Sequence, residues 1–216
     1  MATDRASATE TRRDQIVEAA MRRFAERGYR GTRVEDIAAE VGVAKGTVFL
    51  HFGSKGSLFL AAYRDAVAQL PAWLEAPTAV VEQGFWAVLD YWVRRTEEFV
   101  DEHWVANRVA MIGRNDTGLG LRRPIDRLMR SEDPYGTLDF VEFGIGRGEI
   151  RDDVDPEMIA SMLDWMAERF QDALGSEELD PGLVHRRPFV PERRDVRIRE
   201  FIELLRSGIA AGPVQP

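Results

Sequence analysis

The sequence predicts an all-α protein: a three-helix head carrying a helix-turn-helix, followed by a larger helical body. Three observations predict it. Apolar residues recur at helical spacing along most of the chain, and no segment alternates convincingly as a strand would. Hydroxyl and acidic residues precede several of these runs and glycines follow them, where helices start and stop. Two short helical stretches meet at a tight glycine turn around Gly42.

The elements follow in order. Ile16, Ala19, Ala20 and Phe24 form the apolar stripe of a first helix, with Arg12, Arg13, Arg22 and Arg23 outside it. Thr11, with Asp14 three residues on, is its expected start and Gly28 its expected stop. "TRVEDIAAEVGV" opens on Thr32 and Glu35, the T-x-x-E pattern of a capping box. Ile37, Ala38 and Val41 form the inner face of this second helix. Gly42 breaks it, and Val43 to His51 make a third. Ala38 is small where the two must cross, and Val41, Val43 and Val48 would hold them at a fixed angle.

Ser54 is placed to cap a fourth helix, which Pro71 bends or ends. One long helix is expected over 78–102, with Phe85, Leu89, Trp92 and Phe99 on one face. "GRNDTGLGLRRP" reads as a loop between short helices. "PYGTLDFVEFGIGRGEI" reads as a helix with Leu138, Val141 and Ile145 inward. Asp155 is an N-cap with Pro156 at the first helical position, and Val154 staples onto Ile159. Ile159, Met162, Leu163, Met166, Phe170 and Leu174 continue that stripe. Residues 175–192 read as a loop with three prolines. A last helix, about 193–209, aligns Ile198, Phe201, Ile202, Leu205 and Ile209. The expected domains are 1–55, the head, and 56–216, the larger helical body.

Composition narrows the function. The 216 residues suffice for one large or two small domains, and the 44% apolar fraction fills a core. No apolar run approaches the ~18 residues of a membrane span. The start, "MATDRASATETRRDQ", has no apolar stretch of a secretory signal. Absent cysteine excludes disulfides and thiolate chemistry and fits a reducing compartment. A soluble cytoplasmic protein is expected. Net charge is −8, yet residues 1–60 carry ten basic side chains against eight acidic ones. The head is therefore slightly basic and the body strongly acidic, which is compatible with a nucleic-acid partner for the head alone.

"GVAKGTVFLHF", residues 42–52, carries the chemistry. Packing on the first helix explains its apolar residues but not Lys45, Gly46 and Thr47. The second helix of a helix-turn-helix lies in the major groove of DNA with its N-terminal residues at base edges. Lys45 can donate to guanine or phosphate, Gly46 permits close backbone approach, and Thr47 can reach phosphate or a thymine methyl. His51 and Lys55 are placed for phosphate, and Thr32 and Arg33 for phosphate on the other side. Singly, each is an ordinary polar residue at a helix end. Together, on one edge of a helix-turn-helix, they point to double-stranded DNA.

Residues 32–59, "TRVEDIAAEVGVAKGTVFLHFGSKGSLF", resemble the DNA-binding signature of the tetracycline-repressor (TetR) family, and "FAERGYRGT" before them fits as well. The resemblance is specific over about residues 10–60. "GRGEIRDDVDPEMIA" resembles the junction before that family's penultimate helix. It implies a DNA-binding head, a linking fourth helix and a dimeric, ligand-binding body. It places Lys45 and Thr47 at bases or phosphate, Phe49 and His51 at the backbone, and Lys55 at phosphate. Three positions depart from the family pattern. Phe49 stands for the usual Tyr and lacks its hydroxyl. Ala44, at the start of the helix in contact with DNA, stands for a frequent capping Ser. Gly56 replaces a common acidic residue.

In the body, Phe85, Trp86, Leu89, Trp92, Trp104, Phe140, Phe143 and Trp165 are candidates to line a pocket for a small apolar effector, with Arg108, Asn107 and His103 as polar contacts. The same aromatics are ordinary core fillers, so pocket and packed core both stay open. The stripes of the last two helices suit a four-helix bundle in a homodimer, or burial within one chain.

Enzyme readings find less support. The three histidines, His51, His103 and His185, have no zinc spacing, so no metal is expected. Asp152, Asp153 and Asp155 lack the EF-hand pattern, "GIGRGE" is no dinucleotide fingerprint, and no serine sits in a nucleophile elbow. No catalytic residue and no cofactor is expected. The sequence reads as a dimeric regulator, a repressor that binds a palindromic operator and releases it when an effector binds. The rivals are an activator or DNA binder without inducer, and a helical hydrolase or carrier.

Overall fold

The computed structural model of the chain describes residues 2–115, 120–132, 136–175 and 194–212. The loop expected over 175–192, with His185, lies outside them except for Gly175. Eleven helices are present among the described residues: α1 (Ala2–Gly31), α2 (Val34–Val41), α3 (Lys45–Phe52), α4 (Lys55–Trp73), α5 (Thr78–Val81), α6 (Phe85–Glu102), α7 (Trp104–Asn115), α8 (Arg122–Glu132), α9 (Thr137–Gly146), α10 (Pro156–Gly175) and α11 (Arg194–Ile209). The extended backbone among them is an isolated antiparallel bridge between Ile150 and Ala210. The chain is all-α, as the periodicity predicts.

Two compact units form: Met1–Gln69 with His103–Pro134, and Leu70–Glu102 with Tyr135–Pro216. In the first, α1 lies against α2 and α7, and α2 against α3. Ile16, Phe24, Ile37, Val48, Leu58, Phe59 and Tyr63 are buried there. Phe24 meets Phe59 edge-on at 5.0 Å between centroids, and Tyr29 meets Phe59 at 5.3 Å. Each such buried side chain contributes roughly 1.5–3 kcal/mol. Gly113 of α7 belongs to this packing. A Cβ there would stand 2.5 Å from the Tyr63 ring, so the absent side chain lets the ring lie on the helix backbone.

The second unit packs α6 against α5, α9, α10 and α11. Phe85 stacks on Phe140 at 4.2 Å, and Phe170 stacks on Phe201 at 4.1 Å. Trp92 contacts Phe140 and donates its indole N–H to the carbonyl of Leu74 at 2.7 Å, so its one polar atom is satisfied within the core.

Several boundaries differ from the sequence reading. α1 begins at Ala2 rather than near Thr11, since nothing in "ATDRASATET" breaks a helix. Gly28 is a break (φ 68°) but not the end: helical structure resumes to Gly31. The helix expected over 78–102 is two. Gly84 takes φ 104°, and the Glu149 carboxylate accepts a hydrogen bond from the Phe85 N–H at 2.9 Å, capping α6 from 64 residues away. A long-range cap of this kind leaves no local pattern. Pro71 lies inside α4, which ends at Trp73. Asp155 caps α10 as expected, its carboxylate accepting from the Glu157 N–H at 2.9 Å. Ser54 caps α4, its hydroxyl accepting from the Ser57 N–H at 3.0 Å.

Candidate nucleic-acid interface

The interface is built on the turn between α2 and α3. Gly42 ends α2 in the left-handed conformation (φ 73°, ψ 35°). The Val43 N–H reaches back to the Ala38 carbonyl at 2.9 Å and the Gly42 N–H to Ala39 at 3.2 Å, the paired bonds of a Schellman stop. An L side chain at 42 would be strained, which is why the turn carries glycine. Glu40 fixes α2 to α1. Its carboxylate accepts from Arg22 Nε at 3.1 Å and Arg22 Nη2 at 3.0 Å on one oxygen, and from Arg23 Nε at 2.6 Å on the other. Partial burial pushes its pKa up, and the two guanidinium bonds outweigh this and hold it below the usual carboxylate value.

α3 stands with one face in and one face out. Val48 (1% exposed) and Phe52 (9%) face the core, while Ala44, Lys45, Gly46, Phe49 and Leu50 are exposed. Ala44 is the N-cap residue and has no side-chain oxygen to offer the first-turn N–H groups. The Thr47 N–H turns to the Ala44 carbonyl at 2.9 Å, and the first two N–H groups and the positive end of the helix dipole are left to solvent or an external anion. Lys45 in the same turn opposes the dipole, a placement that an isolated helix disfavours. Gly46 has nothing within 4 Å of where a Cβ would stand. Glycine inside a helix costs about 0.5–1 kcal/mol against alanine, and nothing within the fold requires it here.

The residues singled out from the sequence separate into groups. Lys45 and Phe49 share an outer edge, with Lys45 Nζ 5.5 Å from the Phe49 ring centroid. Lys45 also pairs with Glu35 at 2.6 Å. Thr47 and His51 are half-buried on the opposite side of α3, and Arg33 is exposed as the N-cap residue of α2. Lys55 is half-buried, its ammonium 4.6 Å from the Tyr29 ring, and burial lowers its pKa. Thr32 is different. Its side chain is 2% exposed, and its hydroxyl lies 2.9 Å from the carbonyl of Arg23 and 2.8 Å from that of Gly28. The expected capping box therefore does not form, and the Thr32 side chain is committed inside the head. Glu35 goes to Lys45 instead. Leu50, 85% exposed, was not among the sequence candidates. A helical wheel would have found it, because it lies opposite Val48 and Phe52.

The effector candidates fall into both units. Phe85, Leu89 and Phe140 are buried, and Trp86, Trp92 and Phe143 pack half-buried against the same cluster. Trp165 is 61% exposed on α10. Trp104, 51% exposed, and the exposed Arg108 lie on α7 in the other unit. Among the described residues, no group of His, Asp or Glu is arranged to hold a metal ion, and no helix is long and apolar enough to cross a membrane.

A three-helix head that exposes the outer face of its third helix beyond a glycine turn defines a helix-turn-helix DNA-binding regulator. Residues 16–62 match the family described as "Bacterial regulatory proteins, tetR family". The chain is 29% identical to the transcriptional repressor AcnR of Corynebacterium diphtheriae over 76% of its own length and 82% of that protein. It is 26% identical to the fatty acid metabolism regulator protein of Bacillus subtilis, over 69% and 76%. The fold is shared with FadR of Bacillus subtilis, solved in complex with stearoyl-CoA: TM-score 0.64, 21% identity, 90% of this chain and 98% of that one. Residues 16–62 thus resemble the tetR family of bacterial regulatory proteins, and the relatives matched over most of the chain are transcription regulators.

Proposed function

We propose that the protein is a repressor that binds a palindromic operator as a homodimer and releases it when a small apolar effector binds. The observation that carries the DNA half is the outer face of α3, with Lys45, an unpacked Gly46 and Phe49 in the open. Thr47 meets base or phosphate beside them, and Arg33, Ala44, His51 and Lys55 flank them as backbone contacts. Functionally, residues 1–55 read DNA and 56–216 bind effector and partner. The cytoplasm is the compartment that this reading requires.

The dimer reading is supported by Met158, Met162, Trp165 and Met166, which keep 37–61% exposure on α10, and by Leu204, 72% exposed on α11. Apolar exposure on two adjacent elements of the chain suits a second copy of itself. The effector reading is supported by the aromatic cluster of Phe85, Trp86, Leu89, Trp92, Phe140 and Phe143, which an apolar chain can enter by displacing part of the packing. The stearoyl-CoA bound to FadR makes a fatty acyl group the first effector class to test. An effector acts only through different affinities for the DNA-bound and released states.

The test is selection of bound fragments from the source genome, with the wild type and a Lys45→Ala/Thr47→Ala variant at two salt concentrations. Enrichment of a few palindromes by the wild type alone supports the reading. Equal binding by both, with steep uniform salt dependence, removes base reading from the function. Operator affinity that stays constant across saturating acyl-CoA and other apolar ligands removes the effector half.

A further inference from the structure

We infer that Leu50 is a specificity-determining residue, reading the C5 methyl group of a thymine in the major groove. The inference rests on the proposal that α3 reads DNA. Successive residues of a helix are about 100° apart. Taking Lys45 as zero, Val48 and Phe52 fall at about 300° and 340°, and both are buried. Leu50 falls at about 140°, directly opposite their mean. It is the outermost side chain of α3, and its 85% exposure agrees with that position.

The residue one turn before it on the same ridge is Gly46, whose missing Cβ faces open space. A helix that lays this ridge toward a groove floor therefore approaches closely at Gly46 and presents Leu50 first. Lys45 and Thr47 lie on either side of the ridge in the first turn. Leucine neither donates nor accepts a hydrogen bond. The thymine methyl is the one apolar group on the floor of the major groove, so apolar contact with it is the readout a leucine can make. A leucine this exposed contributes little to the core of the free protein.

The experiment uses the full-length protein and the operator duplex that the wild type selects, with each thymine replaced in turn by uracil. This removes a single methyl group and changes no hydrogen-bonding atom. The expected result is one thymine per half-site whose replacement weakens wild-type binding about fourfold, the worth of one buried methyl. Leu50→Ala loses that penalty at that position, while Phe49→Ala binds more weakly overall and keeps it. Leu50→Ala melts at the wild-type temperature. An unchanged penalty in Leu50→Ala, or no penalty at any thymine in the wild type, overturns the assignment while leaving operator reading intact. Failure of the wild type to select any sequence removes the underlying DNA reading, and the assignment with it.

Discussion

The Nζ of Lys45, in the first turn of α3, lies 2.6 Å from Oε1 of Glu35, in the first turn of α2. The lysine best placed for DNA is thus paired with a carboxylate of its own head. That pair is half-exposed at both ends, so it is weak and readily exchanged. On the proposed reading of α3, a phosphate or base edge must displace Glu35 to gain Lys45, and a non-specific site offers less in return than a specific one. The pair therefore favours discrimination over raw affinity.

Glu35→Gln should raise affinity for random duplex DNA about threefold to tenfold at low salt, with a smaller gain on the operator. Its hydrogen bond from Lys45 holds the Glu35 pKa below the usual carboxylate value. The pair is intact above that folded value and is lost as pH falls through it. The wild type should then approach Glu35→Gln in non-specific affinity, which fluorescence anisotropy across an acid titration would reveal. A constant difference between the two proteins down to low pH would exclude the pairing as its cause.

The clamp of Arg22 and Arg23 on Glu40 ties α2 to α1. Glu40→Ala should cost about 1 kcal/mol, near the upper end for incompletely buried ion pairs. Because the folded pKa is depressed, this contribution is present above the unfolded value and disappears as pH falls through the folded one. Urea denaturation at neutral pH and at about pH 3 measures it. The two proteins should differ most at the first, with a smaller difference at the second.

Gly84 combines φ 104° with a carboxylate where a side chain would be: a Cβ would stand too close to Glu149 Oε1 to be accommodated. Gly84→Ala must therefore strain the backbone and expel the α6 cap, at about 2–3 kcal/mol. Glu149→Gln keeps the shape and removes the charge, and should cost less, about 1 kcal/mol. Thermal melting orders the two variants, and a reversed order would mean that the cap charge outweighs the steric conflict.

Trp165 and Met162 keep 61% and 44% exposure on α10, away from the buried Ile159 and Leu163. Met162→Glu with Trp165→Arg should convert the proposed dimer to a folded monomer at micromolar concentration, with operator affinity falling at least tenfold. Sedimentation and circular dichroism separate this from unfolding. A variant that remains dimeric would move the interface off this face.

Much of this protein is written in local patterns. Helical periodicity, the Gly42 stop, the caps at Ser54 and Asp155, and "GVAKGTVFLHF" all act within a few residues, so one strand of text suffices to read them. The distinction between the two faces of α3 was also legible, because Val48 and Phe52 share a side and Leu50 opposes them. What only the tertiary structure decided were choices between partners distant in sequence. Thr32 and Glu35 match a capping box, yet the Thr32 hydroxyl turns back to the carbonyls of Arg23 and Gly28, and Glu35 pairs with Lys45. Glu149 splits one expected helix into α5 and α6 by capping Phe85 across 64 residues. The effector candidates divide between two compact units, which no spacing announces. The reason is the same each time. A polar side chain has several partners of nearly equal energy in the extended chain, and only the packing of elements brings one of them within bonding distance.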